Sequence, residues 1–368
     1  MNIPFVDLKS QYQSIKQNID AAIENVVTET AFIGGKYVLQ FEKEFAALYG
    51  VKHCISCANG TDSLFVIMKM LGIGNGDEVI TVANSWISSS ETISQTGATP
   101  VFVDIHPNFY SIDETLIEAK ITPKTKAIMP VHLQGQSCNM DAIMALATKH
   151  NLFVIEDCAQ SHFSQFNGVN VGTIGIASSF SFYPGKNLGA YGDAGCILTN
   201  DDALAEKCKM YARHGALIKH QHQIEGINSR LDGLQAAILS AKLPHILQWT
   251  EQRITNAAYY NQALSGIKEI VLPQVRPSSK HTYHLYVIRC QQRNELAKFL
   301  KEKGIETAIH YPVPLPEMQA YQYLGYQPHD FPISHQYKTE ILSLPMYPEL
   351  AHGQMDYIAQ QIQAFYNQ

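Results

Sequence analysis

LFVIEDCAQSH, residues 152–162, sets four consecutive apolar residues directly before two acids, Glu156 and Asp157, with Gln160 three positions further on. An unbroken apolar run of this length suits a strand buried on both faces of a sheet, and the carboxyl end of such a strand is where an open α/β sheet forms its ligand crevice. A helix cap or an exposed turn would explain the acids taken alone. Similar runs recur at EVITV (78–82), PVFVDI (100–105), AIMPVHL (127–133), ASSFSFY (177–183) and GCILTN (195–200). Between them, SLFVIMKMLG, DETLIEAKI and MDAIMALATKHN have the length and apolar spacing of helices packed on a sheet. The alternation predicts an α/β layer on a largely parallel sheet.

From Ser229 to about Leu264 one long helical tract follows, which Pro244 should kink or break. HTYHLYVIRC (281–290), RNELAKFLKEKG (293–304), IETAIHYP (305–312) and a closing MDYIAQQIQAFY then suggest a smaller α+β domain. The expected division is a large α/β domain over 1–250, with an N-terminal arm, and a small domain over 251–368. No internal repeat is visible.

The 368 residues are 46% hydrophobic and 16% charged, the composition of an ordered chain. Lys plus Arg number 27 against 33 Asp plus Glu, and no basic cluster stands out, which argues against a nucleic-acid partner. Nothing resembles a signal peptide or a membrane span, so a cytoplasmic protein with no membrane partner is expected. Seven cysteines, spread from Cys54 to Cys290, suit reduced, buried thiols; Cys54 and Cys57 form a CxxC with no second pair to complete a zinc site.

Several familiar motifs fail on inspection. GIGNGDE (72–78) follows a helical pattern and leads into a strand, the reverse of a dinucleotide-binding turn. In FSFYPGKNLGAYGDAG (180–195), the Gly-Lys pair has Phe180 where a phosphate loop needs its first glycine and Asn187 where it needs Ser or Thr. No HExxH or GxSxG occurs, and His220 and His222 stand in a polar stretch suited to a solvated loop, so no metal is assigned.

A different constellation remains. ANGTDSLFVIMKML puts Gly60 and Thr61 at a helix start, where free amides and a hydroxyl can hold an anion; an ordinary cap reads the same way. Ser179 and Ser181 precede the lysine loop and are further donors. Lys186 itself is flanked by glycines and aromatic residues, a setting that favours the neutral, nucleophilic amine, although a surface pair with Asp193 is an equal alternative. An anion-binding helix start, a strand-end aspartate and a desolvated lysine are the three protein parts that pyridoxal 5'-phosphate needs.

Taken together, IPFVDLKSQY, CISCANGTDSL, VIEDCAQSH, SFYPGKNLGAYGDAG, GINSRLDGLQAAIL and AIHYPVPL resemble the DegT/DnrJ/EryC1/StrS sugar aminotransferases across essentially the whole chain. The resemblance implies the fold type I of pyridoxal-phosphate enzymes, with a mostly parallel seven-stranded sheet. It makes Lys186 the Schiff-base lysine, Asp157 the partner of the pyridine nitrogen, Gln160 a contact of the ring hydroxyl and Trp86 a stacking aromatic. It gives Gly60, Thr61 and Ser181 the phosphate, with Asn228 reaching the phosphate of the neighbouring subunit in a homodimer with shared active sites. Arg213, His214 and Lys219, on ARHGALIKHQHQ, resemble a wall for a nucleotide diphosphate, with a mobile solvent loop as the equal alternative. Tyr183, Arg230, His310 and Tyr311 resemble substrate-binding residues, with strand-end packing the alternative for His310 and Tyr311.

The implied reaction moves an amino group from L-glutamate, leaving 2-oxoglutarate and pyridoxamine phosphate, to a nucleotide-linked ketosugar, for surface polysaccharide such as O-antigen or a related glycoconjugate. C3 of a UDP- or TDP-linked 3-ketosugar is the nearer match, and a 4-ketosugar the alternative. Cys158 departs from the usual alanine. A dehydratase, whose lysine is replaced by histidine in that family, and a non-catalytic sensor of the same fold are the competing classes; the intact Lys186 favours amino transfer.

Overall fold

The computed structural model describes residues 1–367. In chain order the elements that frame its centre are β1 (His53–Cys57), α1 (Gly60–Met70), β2 (Glu78–Val82), α2 (Ser88–Thr96), β3 (Thr99–Val103), β4 (Thr125–Met129), α3 (Met140–His150), β5 (Phe153–Asp157), β6 (Ala177–Ser181) and β7 (Gly195–Thr199). The seven strands form one sheet in the order β1-β7-β6-β5-β4-β2-β3. β7 runs antiparallel to both neighbours, and the other pairs are parallel. The fold is therefore α/β with a mostly parallel seven-stranded sheet, as the alternation of apolar runs predicts.

The six runs singled out in the sequence all enter this sheet. AIMPVHL stops at Met129, since Pro130 has no amide for the ladder. Its direction continues as a single bridge between Val131 and Asp157, and the Asp157 amide donates to the Pro130 carbonyl at 2.9 Å. β1 is the strand that the apolar runs did not reveal: HCISC mixes cysteine and serine with one isoleucine, yet four of its five residues are buried. Its two cysteines, like the other five, are free and buried. DETLIEAKI is shorter than expected, an α-turn at Glu114–Ile117 followed by a 3-10 turn at Glu118–Lys120.

The long helical tract divides where proline requires. α4 (Gly233–Lys242) and α5 (Ile246–Ala263) are separated by a 3-10 turn, Leu243–His245, that contains Pro244. α5 takes part in two cores. Its first turns place Ile246 and Trp249 with the aromatic cluster of Phe41, Phe45, Phe180 and Phe182. Its later turns place Ala257, Tyr260 and Leu264 in a second core with Tyr286, Leu300 and Ile362.

That second core is built on a three-stranded antiparallel sheet of β8 (Ile270–Val271), β9 (Tyr286–Cys290) and β10 (Ile341–Leu344), with β9 central and α6 (Arg293–Glu302) and α7 (His352–Tyr366) packed on it. HTYHLYVIRC supplies a strand only from Tyr286 onward. IETAIHYP is not a regular strand; it touches its neighbours through single bridges, Ile305 to Ile3 and Ala308 to Ser343. The N-terminal residues thus pack beside the second core, with Ile3 fully buried. Among the described residues no helix is long and apolar enough to cross a membrane.

Candidate active site

One cavity of about 560 Å³ opens where the carboxyl ends of β5 and β6 meet the start of α1. Gly60, Thr61 and Ser181 stand on one side of it. Asn59 caps α1 by accepting the Asp62 amide at 2.8 Å, and its carbonyl takes the Ser63 amide at 3.2 Å. The Gly60 and Thr61 amides remain for a ligand, with the dipole of an eleven-residue helix behind them. Glycine is required here by contact rather than by φ. A Cβ on Gly60 would lie 2.8 Å from Ser181 Cβ, and one on Gly195 would lie 2.3 Å from the Asn59 carbonyl carbon. The loop before α1 is therefore pressed onto β6 and β7 without room for side chains.

Ser181 lines the cavity. Ser179 does not: it is fully buried and its hydroxyl donates to the Gly60 carbonyl at 3.0 Å. The expectation that both serines face an anion is corrected: the two share one face of β6 beside Gly60, but Ser179 lies deeper, under the start of α1, where its hydroxyl is taken by the Gly60 carbonyl. The Thr61 hydroxyl pairs with Ser88 at 2.7 Å.

Asp157, the last residue of β5, is buried at 4% exposure. Ser89 donates to Oδ2 at 2.8 Å and the Ala159 amide to Oδ1 at 3.1 Å. Burial raises its pKa above the usual carboxylate range, against those hydrogen bonds and the charge of Lys186. A cation placed against it would favour the carboxylate. Its neighbour Glu156 has a structural task. It accepts the amides of Gly172, Ile174 and Gly175 and the His132 Nε2–H, so it braces the loop between β5 and β6. His132 Nδ1 accepts the Cys138 amide, so Nε2 carries the ring hydrogen that Glu156 accepts.

Lys186 lines the same cavity, partly buried, with its pKa lowered to about 8 because burial disfavours the ammonium more than Asp157 favours it. The opposing charge that acts on it is Asp157, not the Asp193 of the surface-pair alternative. Gln160 is clamped at both ends: Oε1 accepts the Gln134 amide at 2.7 Å, and Nε2 donates to the Tyr311 hydroxyl at 2.8 Å. Tyr311 and His310 reach the cavity from the segment after α6, and Trp86 sits 6.0 Å from the Tyr311 ring. Trp86 and Tyr183, 60% and 59% exposed, stand at the mouth.

Five further residues singled out in the sequence lie away from this chain's own cavity. Arg213 and Asn228 face each other across a β-bridge, and the Arg213 guanidinium contacts Glu42 at 3.4 Å. His214 begins a small exposed hairpin, Ala216–Ile218 with Gln221–His222, whose turn carries Lys219. Asn228 and Arg230 are exposed on either side of Ser229, which is buried and accepts the Ala58 amide at 3.1 Å, tying this loop to the one before α1.

Ser89, His284 and Phe5 line the cavity without having been singled out. Ser89 is one of three serines in SSSE, and only the fold selects it for Asp157. Phe5 stacks on His310 at 5.7 Å, and its amide donates to Glu306.

The group that fits this donor set is pyridoxal phosphate. Free amides at a helix start suit a phosphate, a buried carboxylate lacking a cation suits a pyridinium, and an amine with a depressed pKa suits covalent attachment. The Geobacillus stearothermophilus pleiotropic regulatory protein is 46% identical over 100% of this chain and 99% of its own length. The dTDP-3-amino-3,6-dideoxy-α-D-galactopyranose transaminase of Aneurinibacillus thermoaerophilus is 44% identical over 99% of each. DesV from S. venezuelae, solved in complex with a ketimine intermediate, superimposes with a TM-score of 0.97 at 38% identity, covering 100% of this chain and 99% of DesV. NtdA from Bacillus subtilis, solved with bound PMP, gives a TM-score of 0.92 at 29% identity, covering 100% of this chain and 86% of NtdA. Matched from residue 13 to residue 363, the chain belongs to the DegT/DnrJ/EryC1/StrS aminotransferase family, with pyridoxal phosphate as its cofactor.

Proposed function

We propose that this aminotransferase moves an amino group from L-glutamate to C3 of a nucleotide-linked 3-ketosugar. The observation that carries the reading is the convergence of Lys186, Asp157 and the amides of Gly60 and Thr61 on one cavity. When bound, pyridoxal phosphate supplies an electron sink that stabilises charge on the carbon losing its proton. Asp157 pairs with the ring nitrogen, held for it by Ser89 and the Ala159 amide. Gly60, Thr61 and Ser181 would hold the phosphate, Gln160 the ring hydroxyl, and Trp86 would offer its ring to the cofactor's face. Lys186 would hold the cofactor covalently, and its Nζ, with its lowered pKa, would accept and return a proton. Tyr183, His310 and Tyr311 border the sugar.

Support for C3 comes from the Aneurinibacillus relative, a transaminase of a 3-amino sugar at 44% identity. Asn228, Arg213, His214, Lys219 and Arg230 complete the site of a second copy of the chain, in a cytoplasmic homodimer. The exposure of Asn228, His214, Lys219 and Arg230, and the absence of all five from the lining of this chain's own cavity, support that reading. The proposed division into domains 1–250 and 251–368 falls inside α5; that this helix takes part in both cores supports it.

The test is mass spectrometry of products from UDP-, TDP- and GDP-linked 3- and 4-ketosugars with glutamate. Amination of 3-ketosugars, lost in Lys186→Ala, is expected. Nitrogen at C4 would overturn the regiochemistry, loss of oxygen would indicate a dehydratase, and a cofactor spectrum unchanged by glutamate would indicate a non-catalytic protein.

A further inference from the structure

His284 stands in the wall of the cavity that holds Lys186, just before β9, and the assignments above give it no task. Its Nδ1 lies 3.1 Å from Oδ1 of Asn187, the residue that follows Lys186 and is itself 2% exposed. Asn187 has one orientation. Its other end meets the Thr282 carbonyl at 3.4 Å, and a carbonyl only accepts, so the amide nitrogen faces Thr282 and the amide oxygen faces His284. An amide oxygen also only accepts. His284 Nδ1 must therefore carry the ring proton, and Nε2 keeps the lone pair.

Thr282 is a firm anchor for this arrangement. Its amide donates to the Gly135 carbonyl at 2.9 Å, and its hydroxyl pairs with Ser164 at 2.8 Å. Burial is the main cause that holds the His284 ring neutral, and the charges of Lys186 and Arg253, with His310 and His162, act in the same direction. Nδ1–H is thus a constant donor to Asn187.

We propose that His284 is a positioning residue for Lys186. Through Asn187 it clamps the backbone immediately after Lys186 to the chain entering β9, and so sets the origin from which the amine reaches the reacting carbon. The same loop is held before Lys186 by its amide, which donates to the Tyr183 carbonyl at 2.8 Å, and after it by Lys242 Nζ, which donates to the Gly189 carbonyl at 2.6 Å. The His284 bond is the contact that lies next to the lysine and faces the cavity. Lys186 has four rotatable side-chain bonds, so a loose anchor spreads its amine over many positions, and misplacement by an ångström can cost about 100-fold in rate. The inference rests on the proposed role of Lys186.

Three variants test it. His284→Asn keeps an amide N–H near the Nδ1 position, His284→Gln carries its amide one bond further out, and His284→Ala has no donor. The Asn variant is expected to keep kcat within roughly threefold, while the Gln and Ala variants lose roughly 10- to 100-fold with both KM values little changed. The pH midpoint of absorbance of the lysine-linked cofactor should move in the Gln and Ala variants and stay in place in the Asn variant. Independently of turnover, ¹⁵N NMR of the wild-type holoenzyme, with His284 identified by its missing signals in His284→Asn, should show Nδ1 protonated and Nε2 bare from pH 6 to pH 8. An Nε2–H or charged ring, an unaffected Ala variant, or an Asn variant no better than Ala would overturn the proposal. If the wild type proves inert toward every ketosugar, the proposed function fails, while the tautomer and the absorbance midpoints still decide the role of His284.

Discussion

Gly60, the first residue of α1, lies so close to the end of β6 that a Cβ on it would stand 2.8 Å from Ser181 Cβ and 3.1 Å from Ser181 Cα. Helix propensity alone favours Gly60→Ala by about 1 kcal/mol. Overpacking against backbone that cannot swing aside costs about 1–3 kcal/mol and prevails. The substitution should separate the α1 amides from Ser181 and weaken cofactor binding roughly tenfold or more. Fluorescence titration of the cofactor-free protein with pyridoxal phosphate checks this; unchanged affinity would remove Gly60 from the proposed phosphate site.

Lys186 gives a pH dependence with a definite sign. Its pKa falls from 10.5 to about 8 on folding without the cofactor. Between those values the unfolded chain binds more protons than the folded one, so stability rises with pH across this window. Below pH 8 the full penalty applies, about 3 kcal/mol from the shift. Lys186→Met in cofactor-free protein should therefore raise the melting temperature at pH 7, with a gain that shrinks as pH climbs from 8 toward 10.5. Calorimetry at pH 7 and pH 10 would show it, and equal gains at both would contradict the assignment.

The residues legible in the sequence sit where a local pattern ends. Asp157 closes an apolar run, Gly60 opens an amphipathic helix, and Lys186 interrupts a glycine-flanked aromatic loop, so each is marked by its own neighbours. Ser89 is not. It acts on a carboxylate 68 positions away, and only the tertiary fold, which sets the start of α2 beside the end of β5, brings the two together. Phe5 and His284 are hidden for the same reason, as is β1, whose burial comes from pairing with β7 rather than from an apolar run. Ser179 shows the converse error: it shares the face of Ser181, yet it lies one step deeper under the start of α1, where the Gly60 carbonyl takes its hydroxyl.

Removing the Ser89 hydroxyl leaves Asp157 Oδ2 buried without a donor. That costs about 1–3 kcal/mol for the ionised form and lifts further a pKa that burial already raises. Ser89→Ala should hold the cofactor through Lys186 yet turn over roughly tenfold more slowly, because the carboxylate pairs less well with the ring nitrogen. Ser89→Thr, which keeps the hydroxyl, should restore most of the rate. Single-turnover absorbance changes with glutamate measure both, and equal rates in the Ala variant and the wild type would show that Ser89 only packs.

Asn228 is exposed and stands outside this chain's cavity, across a bridge from Arg213, whereas Lys186 lies inside it. Under the proposed shared site, Lys186→Ala and Asn228→Ala damage opposite halves of one interface. A mixed dimer then holds one site with both defects and one with neither. Random pairing makes half of the dimers mixed, each with one of two sites intact, so refolding the two variants together should give roughly a quarter of wild-type activity above the sum of the parents. Activity no greater than that sum, in a preparation shown by native mass spectrometry to contain mixed dimers, would mean that each chain builds its site alone.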